Sequence, residues 1–412
     1  MTPDADVIIS GAGPAGSMAA YGLASTGISV LILEKAPFPR YKVCGGGLTH
    51  KILQEIPFDL SPVFETSIHS VHFSCGFREQ FTRHSDEPLI YCSMRDRMDQ
   101  FLLDKALKAG ARVLFGEQVM EVSQDIIRVR IKTKTGSHTA KILIGADGAS
   151  SAVARQAGLR ENILPGLAWE AEIKADEEVV KRFSQTVFLD WGAFPGGYGW
   201  VFPKGDHFSV GVGGPAALSK WMMPYYDRFL EYFRQNLQAS VNREIRLETL
   251  SLKSWPIPVR MGKSNFHAGR ILVAGDAGGL SDPLTGEGIY YAVKSGKMAA
   301  RSIREYLEGS ASNLESYSSE INSVLMPELL EANKIKHIFN TVPLKIHRFV
   351  RDSDRGWRAF GKVLRGERNY ADVRMGFGRW KSLWESACRA SRWISGMKEW
   401  MFLRNGFKHE KR

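Results

Sequence analysis

The segment that most constrains the fold lies near the start of the chain, where an apolar run leads into three closely spaced glycines. The run VIIS at residues 7–10 predicts a buried parallel strand, and the motif GAGPAG that follows it opens a helix predicted over residues 17–25. Gly11 permits a tight turn, Gly13 lets a pyrophosphate approach the backbone, and Gly16 lets helix and strand pack closely. Free N–H groups at the helix N-terminus suit phosphates. The pattern predicts a dinucleotide-binding βαβ unit.

An acidic residue ends the next predicted strand. Residues 28–33 form this strand and Glu34 follows it, where a carboxylate accepts hydrogen bonds from the hydroxyls of an adenosine ribose. An acid at this position favours FAD or NAD over NADP. A second glycine-rich segment, GVGGPA from Gly211, lacks a following strand with a terminal acid. We therefore interpret its glycines as sites of close backbone packing.

The positive charge of the chain is concentrated at its end. The 412 residues, 44% hydrophobic and 24% charged, predict a soluble folded protein of two or three domains. Residues 345–412 hold 18 Lys and Arg against 7 Asp and Glu, which is the whole of the net charge of +11, and five of the ten tryptophans. Basic charge with tryptophan indicates a membrane surface or an acidic partner, while no nucleic-acid partner is expected.

The cysteines and histidines show no pattern typical of a metal centre, and we expect no export signal. Cys44, Cys75, Cys92 and Cys388 form no CxxC pair, and the histidines lack ligand spacing, so we expect neither a metal site nor a disulfide framework. The start of the chain has no signal-peptide pattern, and no apolar run reaches the roughly 18 residues of a spanning helix. The expected location is the cytoplasm, free or on the cytoplasmic face of a membrane.

Two further strands end in an aspartate followed by a glycine turn. The strand before Asp276 leads through Pro283 and a Gly-Glu-Gly turn to a helix that starts near Gly288. This arrangement places Asp276 on the ribityl hydroxyls of a flavin and aims the positive helix end at the isoalloxazine ring, where it favours the anionic reduced form. The strand of residues 142–145 leads in the same way to Asp147, a further predicted cofactor contact.

These three signatures, in this order, resemble the FAD-dependent oxidoreductases of the p-hydroxybenzoate hydroxylase type over residues 5–305. Two more segments are similar to the geranylgeranyl reductase family: PRYKVCGGGL, which contains Cys44, and YGWVFP from Tyr198, followed after seven residues by Gly211-Val-Gly213. The family's Arg-x-x-Phe-Asp pattern is matched from Arg95, except that Met98 replaces the aromatic residue. We interpret this departure as a tolerated apolar exchange.

The resemblance implies a set of FAD contacts. Besides the glycines of the first motif, it carries over to Ala15, Glu34, Cys44, Gly45, Gly47, Arg95, Val119, Asp276, Gly288 and Ile289. The contact at Val119 rests on the strand after residues 110–116, where family members touch adenine through backbone atoms.

The resemblance also implies an activity, the reduction of isolated C=C bonds in a geranylgeranyl chain carried on a diphosphate, lipid, quinone or chlorophyll-type ester. Such bonds are unpolarised, so the reaction needs a hydride from flavin N5 and a proton delivered in a water-poor pocket. Tyr198 and Trp200 are the predicted tunnel wall, with Cys44 placing the ring or the substrate, whereas Trp191 and Phe194 are expected in the core. A flavin monooxygenase or halogenase, and a non-catalytic flavoprotein, remain alternatives.

The electron donor is left open by the sequence. The chain has one complete dinucleotide fingerprint, so we expect no separate nicotinamide domain. The donor is then a transiently bound nicotinamide nucleotide such as NADPH, a ferredoxin or a membrane carrier. The basic tail suits an acidic donor and anionic head groups equally well.

The predicted fold class is α/β, with two domains interleaved in sequence. Residues 1–60, 90–160 and 265–325 predict a Rossmann-like FAD-binding domain with a parallel sheet, and residues 61–89 and 161–264 predict an antiparallel β-sheet substrate domain covering the flavin. Residues 326–412 are predicted to be a helical basic region. Within it, Trp380, Leu383, Trp384, Ala387, Ile394, Met397 and Met401 recur at helical spacing, as expected for an amphipathic helix that either caps the substrate domain or binds a membrane interface.

Overall fold

The computed structural model describes residues 3–375 and 381–406. The described strands are β1 (Ala5–Ser10), β2 (Val30–Glu34), β3 (Gly47–Thr49), β4 (Thr66–Ile68), β5 (Ser70–Cys75), β6 (Arg78–His84), β7 (Ile90–Cys92), β8 (Arg112–Phe115), β9 (Val119–Gln124), β10 (Val129–Thr133), β11 (Ser137–Gly145), β12 (Ile163–Lys174), β13 (Thr186–Trp191), β14 (Tyr198–Pro203), β15 (Phe208–Pro215), β16 (Glu248–Arg260), β17 (His267–Ala268) and β18 (Ile271–Val273). The described helices are α1 (Pro14–Ala24), α2 (Lys51–Glu55), α3 (Arg95–Lys108), α4 (Ala152–Gln156), α5 (Glu177–Arg182), α6 (Met222–Val241), α7 (Ile289–Leu307), α8 (Glu315–Glu320), α9 (Met326–Thr341), α10 (Pro343–Asp352), α11 (Asp354–Leu364), α12 (Tyr370–Met375) and α13 (Lys381–Asn405).

A largely parallel sheet organises the first part of the structure. Its main path runs in the order β17-β18-β11-β1-β2-β8, and β10 and β9 extend it from β11. Val7 of β1 pairs in parallel register with Ile142 of β11 and Val30 of β2. Helices α1, α3 and α7 cover one face of the sheet, and β9 and β10 with α4 cover the other. The central strands are therefore almost continuous apolar runs. Helix α1 begins at Pro14, three residues before the predicted start.

A second sheet of seven strands lies in the order β16-β12-β15-β14-β13-β5-β6. Its pairs are antiparallel apart from β5 and β13, which are parallel, with Val71 opposite Val187. Strand β5 comes from an earlier segment of the chain than β13, and a long connection that includes other elements joins the two. Helix α6 packs on one face of the sheet through Phe229 and Phe233, leaving the other face for the cavity described below.

The predicted fold class is confirmed: the structure has a largely parallel sheet, a mainly antiparallel sheet and a helical C-terminal region. A third sheet, in the order β3-β7-β4, follows the glycine-rich segment after Cys44. The predicted limits of the domains stay a prediction. None of the described helices is long and apolar enough to cross a membrane.

Helix α13 is amphipathic, but its packed face differs from the predicted apolar stripe. Asn340 of α9 donates to the hydroxyl of Ser395 at 2.6 Å, and Ser395 is almost completely buried. Met397 and Met401, two members of the predicted stripe, are exposed together with Trp393 and Trp400. Trp380 and the side chains of Leu383 and Trp384 lie outside the described residues. The helix thus packs on α9 through residues such as Ser395, and it presents Trp393, Met397, Trp400 and Met401 outward.

Candidate active site

One cavity of about 1530 Å³ joins the carboxyl edge of the first sheet, the open face of the second sheet and the C-terminal helices. It exceeds the roughly 300–1,000 Å³ of a typical small-ligand site, so it has room for a large cofactor and a second ligand. Its wall contains all but one of the predicted site residues: Gly11, Gly13, Ala15, Glu34, Cys44, Gly45, Gly47, Arg95, Val119, Asp147, Tyr198, Trp200, Asp276, Gly288 and Ile289. The exception is Gly16, where a Cβ would lie 1.9 Å from the Gly11 carbonyl oxygen. Gly16 therefore serves helix packing.

The N-terminus of α1 opens into this cavity without a capping side chain. Gly13 occupies the cap position, no acidic residue lies in the first turn, and a Cβ on Gly13 would meet nothing closer than Arg40 at 3.9 Å. Gly11 has φ of +99°, and a Cβ there would lie 2.4 Å from the Ala146 carbonyl oxygen. Because the first N–H groups of a helix have no intrahelical acceptor, this end suits a phosphate group.

Glu34 ends β2 beside the same turn and is almost fully buried. Its carboxylate accepts the N–H of Ala12 at 2.7 Å and the N–H of Ala36 at 3.0 Å. Arg40 approaches it at 3.9 Å. Each carboxylate oxygen keeps a second lone pair, so the backbone bonds fix the group while leaving acceptors for ribose hydroxyls.

A buried ion pair stands behind the centre of the cavity. Arg95 and Asp99, one helical turn apart on α3, form a bidentate pair with both N–O distances at 2.9 Å, and Arg40 adds a contact of 3.3 Å to Asp99. Burial lowers the pKa of Arg95, but the Asp99 carboxylate and the Cys44 thiol outweigh it and raise the pKa above its usual value. The guanidinium is therefore a fixed positive charge beside Cys44.

The aspartates of the two predicted strand-to-glycine turns, Asp147 and Asp276, have different roles. Asp147 accepts hydrogen bonds from the Ser151 hydroxyl at 2.5 Å and the Ala152 N–H at 2.8 Å, so its side chain holds the start of α4. Burial raises its pKa despite these bonds. Asp276 lies in a 3₁₀ turn after β18, and its bond from the Ser281 hydroxyl is long, at 3.3 Å. Asp276 is thus freer than Asp147 to bind a ligand hydroxyl.

The N-terminus of α7 is the second uncapped helix end in the cavity wall. Gly288 is its cap residue, with neither a capping side chain nor an acid in the first turn. A Cβ on Gly288 would lie 3.2 Å from an oxygen of Asp276. Ile289 opens the helix, and Val119 opens β9 elsewhere in the wall.

The two family-like motifs pack directly against each other. A Cβ on Gly45 would lie 2.8 Å from the ring of Phe202 and 2.9 Å from the indole nitrogen of Trp200. Lys204, directly after the aromatic motif, donates to the carbonyl oxygens of Gly45 at 2.6 Å and Ser93 at 3.1 Å. The sequence interpretation missed Lys204, although its position beside the motif was a usable signal.

Tyr198 and Trp200 lie on the cavity face of the second sheet. The Tyr198 hydroxyl donates to the carbonyl of Thr285, in the turn before α7. Trp200 lies over Gly211, where a Cβ would come within 2.3 Å of the indole ring. The interpretation of Gly211 as a packing site therefore matches the geometry. Trp191 and Phe194, expected in the core, are buried and also line the cavity.

Glu170 is an acidic side chain of the cavity wall that the sequence interpretation missed. It is fully buried on β12, accepts the Ser209 hydroxyl at 2.9 Å through one oxygen, and its other oxygen has no hydrogen-bond partner among the described residues. Burial, and next the charge of Glu172, raise its pKa to about 7. In the sequence, an acid in a strand gives no sign of pointing inward.

The residues fit FAD at the level of their chemistry. Two uncapped helix ends, a ribose-acceptor carboxylate at Glu34 and a free aspartate at Asp276 share one wall with a buried guanidinium at Arg95. Helix ends suit the pyrophosphate and the electron-rich edge of the ring, and the carboxylates suit the sugar hydroxyls. The fold and this site define an FAD-dependent oxidoreductase.

Comparisons with known proteins give the family. The family described as "FAD binding domain" matches residues 4–327. The digeranylgeranylglycerophospholipid reductase of Methanocella arvoryzae is 30% identical, over 83% of this chain and 89% of the relative. The chloroplastic geranylgeranyl diphosphate reductase of Oryza sativa subsp. japonica is 27% identical, over 81% and 74%. The chain belongs to the geranylgeranyl reductase family of FAD-dependent oxidoreductases, which confirms the resemblance predicted from its motifs.

Solved structures agree with this assignment. A geranylgeranyl bacteriochlorophyll reductase-like protein from Thermoplasma acidophilum superposes with a TM-score of 0.71 at 26% identity, covering 82% of this chain and 87% of the other. A flavin-dependent brominase reaches a TM-score of 0.70 at 21% identity, covering 88% and 93%. At that identity the brominase shares the fold alone.

Proposed function

We propose that this chain saturates isolated C=C bonds of a geranylgeranyl chain carried on a phospholipid or a diphosphate. The observation that carries the proposal is the apolar part of the cavity wall, which extends beyond the flavin cradle between the second sheet and helices α10 and α11. It is formed by Val71, Ile90, Val187, Leu189, Ile346, Val350, Phe360, Val363 and Leu364. A long hydrocarbon chain gains free energy by leaving water for such a wall. The names of the relatives support a prenyl substrate.

Bound FAD supplies the hydride in this reaction. The chain itself holds the prenyl group against Tyr198 and Trp200, excludes water with the apolar wall, and supplies a proton to the second carbon of the double bond. The contact between Gly45 and Trp200 sets the position of the aromatic wall relative to the glycine loop. The loop is held in turn by Lys204, so both motifs act as one rigid unit.

Glu170 is the proton donor in this proposal. Trp200 pairs with Gly211 on β15, and Gly211 pairs with Glu170 on β12, so the three lie in one row across the sheet. Directly paired residues share a face, and Gly211 has no side chain to separate the indole from the carboxyl group. With its pKa raised to about 7 by burial and by Glu172, the group is about half protonated at neutral pH and can give up its proton.

The exposed face of α13 is proposed to bind an anionic membrane surface on the cytoplasmic side. Trp393, Met397 and Trp400 line a surface groove together with Arg389 and Arg392. These residues recur at helical spacing, and aromatic side chains with arginines suit the interface of anionic lipids. A prenyl lipid bound in that interface would lie next to the cavity wall that α13 helps to form. The electron donor is proposed to bind transiently, as NADPH or a ferredoxin.

An anaerobic single-turnover experiment tests the proposed function. The purified protein is photoreduced, geranylgeranyl diphosphate or a digeranylgeranyl phospholipid is added, and flavin reoxidation is followed together with mass spectrometry of the prenyl product. Products heavier by two daltons per reduced bond support the reductase. A different outcome would favour the monooxygenase alternative. In that outcome the flavin stays reduced with every prenyl carrier, yet it reoxidises in air and a hydroxylated or halogenated aromatic product forms.

A further inference from the structure

A polar part of the cavity wall lies apart from the flavin cradle, on helices α9 and α13. Its members carry amide, ammonium, imidazole, guanidinium and carboxylate groups: Asn333, Lys336, His337, Asn340, Arg392 and Glu399. The apolar wall between β5, β13, α10 and α11 belongs to the same cavity. The cavity is therefore amphiphilic, like a prenyl chain with a charged head group.

Lys336 is the central cation of this polar wall. Its ammonium makes no hydrogen bond or ion pair with any residue that the structure describes, whereas Lys334, two positions earlier on α9, contacts Glu331 at 3.2 Å and Glu385 at 3.0 Å. Lys336 faces Gly196, where a Cβ would lie 3.5 Å from its Cε atom. Burial lowers its pKa, against the weaker influence of Glu399. An ammonium held in a cavity without a partner is a group that lacks its anion.

His337 adds a second group without a partner. Its Nδ1 atom is buried and has no hydrogen-bond partner among the described residues, while Nε2 lies 3.5 Å from the Asn333 amide nitrogen. Burial, then the charges of Lys336 and Arg392, lower its pKa to about 4. The ring is therefore neutral at physiological pH, and its Nδ1 tautomer can donate one hydrogen bond to an anion.

The balance of charge here is positive. A Cβ on Gly196 would lie 3.2 Å from Glu399 Oε1, so this carboxylate shares the wall with Lys336. Burial raises the pKa of Glu399, although the charge of Lys336 opposes the shift. The two cationic side chains, Lys336 and Arg392, outnumber the one acidic side chain, Glu399. Arg392 also lines the surface groove with Trp393 and Trp400, so the polar wall lies next to the exterior.

We propose that Lys336, His337 and Arg392 form a binding site for the phosphate or diphosphate at the end of a prenyl chain. The proposal rests on the proposed function and names the part of its substrate that this site recognises. Charge-assisted hydrogen bonds from ammonium and guanidinium groups are the usual means of holding phosphate oxygens. The anion is either a free diphosphate or the phosphate of a lipid head group, two sources that share this chemistry.

Equilibrium binding to the oxidised holoenzyme tests the site without requiring turnover. Geranylgeranyl diphosphate and the uncharged geranylgeraniol are titrated against wild type, Lys336→Met and Lys336→Arg, with tryptophan fluorescence as the signal. Lys336→Met should raise the Kd for the diphosphate about tenfold or more and change the Kd for the alcohol less than twofold. Lys336→Arg should retain most of the diphosphate affinity. Lys345→Met, at an exposed position of α10 outside the cavity wall, is the matched control and should change neither Kd.

Further measurements distinguish the two sources of the phosphate group. They also distinguish failure of this binding site from failure of the proposed function. The effect of Lys336→Met on geranylgeranyl diphosphate is compared with its effect on a digeranylgeranyl phospholipid in neutral vesicles, and the form whose Kd rises more is the one that the site recognises. Inorganic diphosphate should displace whichever form uses the site. Equal effects of Lys336→Met on diphosphate and alcohol, or no measurable binding of the diphosphate to wild type, overturn the site. Tight, Lys336-dependent binding without reduction of the prenyl chain leaves the site standing and overturns the proposed function. Unchanged flavin content and unfolding midpoint show that each variant is folded.

Discussion

The ammonium of Lys204 donates to the carbonyl oxygen of Gly45 at 2.6 Å, although 159 positions separate the two residues. Lys204 directly follows β14 of the second sheet, whereas Gly45 belongs to the loop that approaches the flavin cradle. Lys204 is almost completely buried, so the bond is shielded from competing water. The substrate side of the cavity thereby fixes the conformation of a cofactor loop.

Replacing Lys204 by Met should loosen this loop. The variant leaves two buried carbonyl oxygens without their donor, and a lost hydrogen bond to a charged group costs about 1.5–3 kcal/mol. We expect the Kd for FAD to rise at least tenfold, measured by flavin fluorescence on titration of the apoprotein. Lys263→Met, at an exposed position, should leave the Kd unchanged. If Lys204→Met binds FAD with the affinity of wild type, the conformation of the loop does not depend on Lys204.

Glu34→Arg should strongly weaken FAD binding. The substitution places a cation where the ribose hydroxyls need an acceptor, and it removes the acceptor of the Ala12 N–H. The ratio of flavin to protein absorbance after purification should fall to a small fraction of the wild-type value. Glu177→Arg, which makes the same charge change on the surface, is the control. Unchanged flavin content in Glu34→Arg would refute the assignment of Glu34.

Gly211→Ala should disturb the substrate wall while leaving the cofactor in place. A Cβ at this position would come within 2.3 Å of the Trp200 ring, so the indole must move. We expect normal flavin content and a fall in prenyl reduction of about tenfold or more, measured by single-turnover flavin reoxidation. Gly136→Ala, where a Cβ meets nothing within 4 Å, is a control of the same size. An unaffected rate would remove Trp200 from the mechanism.

Glu170→Gln should change how stability depends on pH. Burial, with the charge of Glu172, raises the pKa of Glu170 from 4.5 to about 7, so between these values the folded state binds more protons than the unfolded state. Wild-type stability therefore includes a contribution that is complete below pH 4.5 and is lost as pH rises through 7. The variant, measured by urea unfolding, should gain about 1–3 kcal/mol relative to wild type between pH 5 and pH 8. Parallel stability curves would contradict the raised pKa.

The same variant tests the role of Glu170 as proton donor. Loss of a general acid commonly costs 10²–10⁴-fold in rate. We expect Glu170→Gln to slow prenyl reduction within this range, with little change in flavin content. Glu177→Gln provides an exposed control. A rate equal to that of wild type would assign the proton to another group.

Removing the two exposed tryptophans of α13 should weaken binding to lipid. Trp393 and Trp400 are 68% and 53% exposed, so their replacement by Ala leaves the packed face intact. We expect at least a tenfold lower partition coefficient onto vesicles of anionic phospholipid, measured by sedimentation. The matched control replaces Ile126 and Ile127, which are 87% and 65% exposed on the turn between β9 and β10. If both double variants bind the vesicles equally well, α13 packs on the rest of the protein and does not bind lipid.

The sequence predicted the parts of the site that depend on local backbone geometry. Gly11, Glu34 and Asp276 follow strands at short, regular distances, and their chemistry is set by the turn in which each one lies. Glu170 could not be assigned from the sequence alone, because its inward position depends on the pairing of β12 with β15, which places Ser209 beside it. Lys204 directly follows the aromatic motif, but the carbonyl that it contacts lies 159 residues earlier. The sequence did not determine which face of α13 is exposed, for a related reason. Ser395 is buried where it meets Asn340 of α9, a contact between residues that are distant in the sequence.

The match to the FAD-binding family ends at residue 327, yet helices α9, α10, α11 and α13 complete the cavity wall after that point. The proposed head-group site at Lys336, His337 and Arg392 therefore lies in a later stretch of the chain than the flavin cradle. A chimaera joined near residue 327 would exchange the proposed head-group site while keeping the flavin cradle and the wall formed by the second sheet.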